Sequence, residues 1–406
     1  MHLLALSLAA LSLLPLVTTK TSAQLCNIHT SETDGNWYCL EVDKIIYRNI
    51  SQSGTYNRTS NMDIPNGLCS HDPVAYSGTD LLAPLIGEVS IHLRGPMNLS
   101  QLAVYTLPST DVKGHVHGRR SEHIHKHMGV AVFATGTSCS PGEATPSPDN
   151  SPSTYKPFVN ISLEHAELAS TAPSTASSPS IVSAEEATWN RVAYYASKSP
   201  AQATGFAFMA NVGNPGVSGT WDTSFGSSLA YVSSDGTEVV SQPAPFNGAD
   251  GWNGVNKLFL VEFQMDHYDN TNNDQGLISD APAYWFLNSL ISRTLQYGND
   301  RRGVPCSCWI TGCGEFDAFE VLARGEERAK STLHRQGNFE GGDSNYFRRP
   351  VGRTLKFAVM WYQYNITATV LPDDFSFSQT LLSSQIDQIV AYDSNSNTHS
   401  LFAIGA

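Results

Sequence analysis

The sequence predicts an all-β protein: a C-terminal β-sandwich or jelly roll preceded by a small β-rich unit. Three observations predict it. Short apolar or alternating runs punctuated by Gly, Asn and Asp recur along the chain, the pattern of sandwiches and barrels. Apolar residues at helical spacing are few. Residues 137–184 are dominated by Ser, Thr, Pro and Ala and divide the chain into two β-rich parts.

At 406 residues, 41% of them hydrophobic, the chain can bury a substantial core and is long enough for two domains. Its formal net charge of −13 argues against nucleic acid as a partner and is compatible with a neutral, hydrated polymer. Leu3–Val17 is an apolar run shorter than the ~20 residues that cross a bilayer. Thr21-Ser22-Ala23 follows as a small-x-small cleavage pattern, so residues 1–23 read as a secretory signal. The C-terminus lacks the long apolar tail of a lipid-anchor signal, so a secreted, extracellular or wall-held protein without a membrane anchor is expected. All seven cysteines (Cys26, Cys39, Cys69, Cys139, Cys306, Cys308, Cys313) lie beyond the signal, where an oxidising route favours disulfides. Cys306, Cys308 and Cys313 without a paired second half make poor zinc spacing. The odd count leaves at least one thiol over, and the pairing stays open.

In chain order, residues 24–110 form the small unit. Strand-like runs are Ile45–Ile50, Gly87–Arg94 and Leu102–Leu107. In the second, Val89, Ile91 and Leu93 alternate with Ser90, His92 and Arg94, as in a half-buried strand. Asn49, Asn57, Asn98, Asn160 and Asn365 stand in glycosylation sequons. Residues 111–185 read as a linker, first His-rich from His115 to His127 and then Ser/Thr/Pro-rich. Alternating histidines can chelate a metal, but such tracts are weak evidence of a site. From 186 to 392 the runs Val192–Tyr195, Gly205–Met209, Ser228–Val232, Lys257–Met265, Thr354–Tyr362 and Ile366–Leu371 predict the sandwich, with 393–406 as a tail.

Within that unit Cys306–Leu322, C-S-C-W-I-T-G-C-G-E-F-D-A-F-E-V-L, interleaves Glu315, Asp317 and Glu320 with Phe316, Phe319 and Val321. Crowded carboxylates raise one another's pKa, and glycoside hydrolysis uses one protonated and one ionised carboxyl group. In a regular strand Glu315 and Asp317 share a face and Glu320 points the other way. A β-bulge near Ala318–Phe319 would return Glu320 to the face of Glu315. Periodicity alone fits two other readings as well: an amphipathic helix with a wet acidic face, and a strand whose acids simply face water.

E-F-D-A-F-E resembles the Glu-x-Asp-x-x-Glu signature of laminarinase-type family 16 glycoside hydrolases. I-S-R-T-L-Q-Y-G (291–298), the 306–322 stretch, T-L-H (332–334), N-Y-F-R-R-P (345–350) and K-L-F-L-V-E-F-Q-M (257–265) resemble the fungal Tos-type cell-wall glucanase family. So do S-G-T-Y-N-R-T-S-N-M-D (53–63) and S-I-H-L-R-G-P-M-N-L-S-Q-L-A-V-Y (90–105). The resemblance implies a concanavalin-like jelly roll cleaving internal β-1,3-glucan linkages with retention, in contact with the cell-wall matrix and without cofactor or metal. It implies Glu315 as nucleophile, Glu320 as acid/base and Asp317 as an assisting carboxylate. A-P-A-Y-W-F-L-N (281–288) is similar to the P-A-x-W segment of these enzymes, which would make Trp285 a sugar platform. Asn288 and Arg293 would line the cleft on the same resemblance. Trp309, Trp252 and His334 are weaker candidates for substrate contact, with disulfide packing, core packing and a structural role as their respective alternatives. Tyr284 and the loop M-D-H-Y-D-N-T-N-N-D-Q-G (265–276) depart from the pattern and bear on subsite shape. A transglycosylase with the same residues, a non-catalytic glucan-binding wall protein and a structural wall component remain alternatives.

Overall fold

The computed structural model describes residues 31–107, 129–134 and 188–404, apart from 34, 64–65, 67, 199–200, 219–227, 243–250, 269–279, 290, 292–305, 307 and 336–339. The signal, the histidine run and the Ser/Thr/Pro-rich tract of the sequence reading lie outside the described residues, as do Asn160 and Arg293. The all-β expectation holds, with two short helices described, Pro215–Ser218 and Ser383–Val390.

Two large sheets dominate. The first, of nine strands, runs Gln202–Thr204, Thr188–Ala196, Asn98–Thr106, Lys257–Gln264, Leu355–Tyr362, Asn365–Leu371, Lys44–Arg48, His399–Ala403, with Thr380–Leu382 beside Thr188–Ala196. The second, of ten, runs Val239–Ser241, Ala230–Val232, Phe206–Ala210, Gly129–Ala134, Val89–Arg94, Ala283–Asn288, Glu315–Val321, Arg328–His334, Gly341–Gly342, with Phe347–Arg348 beside Arg328–His334. Pairing is antiparallel except for Lys44–Arg48 with His399–Ala403 and for Gly129–Ala134 with both its neighbours.

The central strands are apolar on both faces because both faces are covered. In K-L-F-L-V-E-F-Q, Phe259, Val261 and Phe263 point to the second sheet. Leu258 and Leu260 pack the other way against Tyr105, Trp189 and Met360, under Ile386 and Ile389 of the Ser383–Val390 helix. Aromatic contacts join the sheets: Phe259 to Phe286 at 4.8 Å, Phe286 to Trp361 at 4.9 Å and Phe263 to Phe319 at 5.3 Å between ring centroids. Burying rings of this size supplies much of the drive to fold.

The runs predicted on either side of the linker do form strands, but they do not sort into separate sheets. Asn98–Thr106 lies between Thr188–Ala196 and Lys257–Gln264. Val89–Arg94 pairs with Ala283–Asn288, and Lys44–Arg48 with Asn365–Leu371. Gly129–Ala134, expected within the linker, is a strand of the second sheet. His399–Ala403, expected as tail, closes one edge of the first. Alternation marks a strand but carries no information about its distant partner, which is why the boundary at 110 separates no sheet.

Outside the two sheets, Gly54–Asp63 and Leu68–Tyr76 form a hairpin. The Cys69–Cys306 disulfide ties it to the segment before the acids, and Cys308–Cys313 closes the short loop that follows. Cys39 is disulfide-bonded as well. Among the described residues no helix is long and apolar enough to cross a membrane.

Candidate active site

The site is built on Glu315–Val321, flanked antiparallel by Ala283–Asn288 and Arg328–His334. Phe316 and Phe319 point into the core, Phe316 edge-on to Tyr47 at 5.2 Å. The register shows how three acids reach the opposite face. Asp317 pairs with Thr332 and Glu320 with Lys330, so three steps on this strand match two on its neighbour. On the other side Asp317 pairs with Trp285 and Phe319 with Tyr284, two steps against one. One extra residue is absorbed at Ala318–Phe319, the bulge on which the catalytic reading of the sequence depended, and Glu315, Asp317 and Glu320 share a face. The helical reading of this segment is excluded.

Each acid has its own partner, and each partner comes from a different segment. The indole Nε1–H of Trp309, in the loop closed by Cys308–Cys313, donates to Glu315 Oε2. His334 Nε2 lies 2.9 Å from Asp317 Oδ2. Arg94 Nη2 donates to Glu320 Oε1 at 3.1 Å, its guanidinium fixed by Nε–H to the Ala281 carbonyl at 2.7 Å. The Trp309 and His334 rings are 6.0 Å apart, so two of the three partners touch.

Burial and the charge of Asp317 push Glu320 up to about 7, with Arg94 and His334 pulling the other way. That carboxyl group therefore keeps its proton far above the ordinary carboxylate range. Burial works against charge on His334, but the hydrogen bond and charge of Asp317, helped by Glu320 and Glu340, leave its pKa raised. His92 is fully buried, which pushes it down to about 3 and keeps it neutral. The arrangement supplies one carboxyl group that is protonated near neutrality beside another held by an N–H donor. Among the described residues, no group of three or more His, Cys, Asp and Glu could hold a metal ion.

Trp285 lies directly across from Asp317 on the acid face, stacked on His92 at 5.3 Å, with Arg94 5.9 Å from its ring. Asn288 is 93% buried and donates from Nδ2 to the Cys313 carbonyl at 2.9 Å, so it shapes the turn before the acids. Trp252 is a correction: it is a core residue, edge-on to Phe206 at 5.4 Å and Phe259 at 5.7 Å, and presents no face to a sugar. Asn49, Asn57 and Asn98 are exposed and Asn365 half-buried. Sequence reasoning missed Arg94 and His92. Their signal was the polar register Ser90, His92, Arg94, read as a wet face when it is the face shared with the acids.

Two family models match the chain: "Cell wall protein YJL171C/Tos1, N-terminal" over residues 43–107, and its C-terminal counterpart over 187–250 and 247–389. The chain is 30% identical to a protein of Candida albicans described as a probable circularly permuted 1,3-beta-glucanase TOS1, over 86% of this chain and 90% of that one. A Saccharomyces cerevisiae protein of the same description is 30% identical over 90% of this chain and 93% of its own. A probable circularly permuted 1,3-beta-glucanase of Arthroderma benhamiae is 30% identical over 95% and 96%. No solved structure gives a significant match.

Proposed function

Because the chain belongs to the cell wall protein YJL171C/Tos1 family, we propose that it is a cell-wall glucanase cleaving internal β-1,3-glucan linkages with retention of anomeric configuration. The observation that carries the proposal is the bulge at Ala318–Phe319, which sets a carboxyl group raised to about 7 on the same face as Glu315. Retaining hydrolysis needs such a pair, one acid and one nucleophile.

In this reading Glu315 attacks the anomeric carbon while Glu320 gives its proton to the departing glycosidic oxygen. A glycosyl ester on Glu315 results. Glu320, now a carboxylate, takes a proton from water, the water oxygen bonds to the anomeric carbon, and the ester bond returns its electron pair to Glu315. Asp317 and protonated His334 share the remaining charge between the two acids. Trp285, buried and stacked on His92, backs the acid face beside Asp317. The fold would be a jelly roll with permuted strand order, in keeping with the wording of the relatives' descriptions and with strands of 44–106 lying among those of 188–403.

The test uses the full secreted chain and a linear β-1,3-glucan, following product length and the anomeric form first released. Shorter products appearing as the β-anomer, lost in Glu315→Gln and Glu320→Ala, are expected. Products longer than the substrate would assign transfer to the same residues. Binding without turnover, unaffected by either substitution, overturns the reading.

A further inference from the structure

We propose that Trp309 is a positioning residue for the nucleophile, its indole N–H holding the Glu315 carboxylate and the Cys308–Cys313 loop holding the indole. The inference deepens the glucanase reading and rests on it.

The loop is braced at every turn. Cys313 N–H donates to the Cys308 carbonyl at 2.9 Å, Gly312 N–H to Trp309 at 3.0 Å and Thr311 N–H to Cys308 at 3.1 Å, inside the disulfide ring. Its tip is docked on the 54–76 hairpin. Thr311 Oγ1–H donates to the Asn57 carbonyl at 2.7 Å and accepts from the Asn57 N–H at 3.1 Å. Its base is held by Cys69–Cys306 and by Thr59 Oγ1–H on the Cys306 carbonyl at 2.8 Å. Between loop and strand stands only Gly314, at φ +102°, where a Cβ would come within 2.8 Å of Pro84. The chain therefore enters the strand at Glu315 with no slack, and the indole is fixed against it.

An indole nitrogen only donates, at any pH. It can hold the carboxylate form of Glu315 but cannot take its place as a proton acceptor, so it favours the ionised nucleophile. When the glycosyl ester breaks, the electron pair returns to that same carboxylate, and the N–H is already directed at it. Trp309 is half-buried, with its N–H committed to Glu315 and its ring tilted against His334 at 6.0 Å between centroids. Trp309 thus acts through Glu315 instead of through the sugar.

The experiment is Trp309→Phe in the full chain, with initial rates on a linear β-1,3-glucan across pH. The ring is kept and the donor lost. A kcat lower by about 10- to 100-fold with KM changed less than about threefold is expected, because a hydrogen bond to a charged group is lost in the reacting state. The acidic limb of kcat should also move to higher pH, since the donor favouring the ionised form is gone. A higher KM with kcat and the limb unmoved would make Trp309 a sugar platform and overturn the inference, as would unchanged kinetics. A parent protein without turnover would instead sink the glucanase reading. Should Trp309→Phe fail to fold, judged by secretion and melting, the paired Cys308→Ser/Cys313→Ser chain carries the test. It should lose kcat with the same limb shift, and parental values overturn the proposal.

Discussion

Replacing Arg94 with Met should move the alkaline limb of the kcat/KM profile upward. Arg94 Nη2 is 3.1 Å from Glu320 Oε1, and the two side chains are only 22% and 19% exposed. At ~4 Å and an effective dielectric constant of ~20, such a pair is worth at most ~4 kcal/mol. An opposite charge this near shifts a carboxyl group by ~1–3 units, and each unit is ~1.4 kcal/mol. Arg94 favours the charged form of Glu320, so its loss favours the acid form and lifts the group from about 7. In the proposed mechanism Glu320 must be protonated, and kcat/KM reports the free enzyme, so the alkaline limb should rise by about one unit or more. Arg94→Lys, which keeps the charge, should stay closer to the parent. The assay is initial-rate hydrolysis of linear β-1,3-glucan under subsaturating substrate from acid to alkaline buffer. A limb that stays put or moves down would refute either the acid role of Glu320 or its pairing with Arg94.

Three further outcomes follow from the same contacts. A fragment comprising residues 186–406 should lack the cooperative melt of the full chain, because Asn98–Thr106 no longer lies between Thr188–Ala196 and Lys257–Gln264. A fragment that melts like the full chain would contradict the shared sheets. His334 has a raised pKa in the fold, so its pair with Asp317 stabilises fully below the unfolded histidine value of ~6.5 and loses that contribution as pH rises through the folded value. The melting difference between parent and His334→Asn should therefore be largest in acid and shrink towards alkaline pH, as read by thermal scans at several pH values. Arg349 is buried against Asp280 Oδ1 at 2.5 Å and donates to the Met265 and Asp266 carbonyls at 2.7 and 3.0 Å. Arg349→Met should cost about 3–5 kcal/mol in chemical denaturation, since it removes the buried cation of Asp280, leaving that carboxylate only His267 and the Tyr268 N–H, and leaves the Met265 and Asp266 carbonyls without this donor.

Much of the strand inventory was legible because period-2 alternation and apolar runs are local signals. Val89–Arg94 and Leu355–Tyr362 lie within a residue or two of where the sequence put them. The bulge was legible for a different reason: three acids at that spacing can share a face only with one residue extra. Partners were not legible. Cys69 and Cys306 are 237 residues apart, and no spacing rule pairs them. Arg94 reaches Glu320 across 226 residues, so the polar side of its strand looked like a solvent face. Trp252, set among glycines and polar residues in G-A-D-G-W-N-G, gave no local sign of the Phe206 and Phe259 rings that bury it.

The proposed division of labour gives Glu315 the attack and Glu320 the delivery of the proton. It is tested most directly by trapping the covalent intermediate with an activated 2-deoxy-2-fluoro β-1,3-linked glucosyl donor and mapping the labelled peptide by mass spectrometry. One label is expected, on Glu315, formed slowly and released when an acceptor sugar or water completes the second step. A label on Glu320, or turnover of glucan with no residue ever labelled, would contradict it.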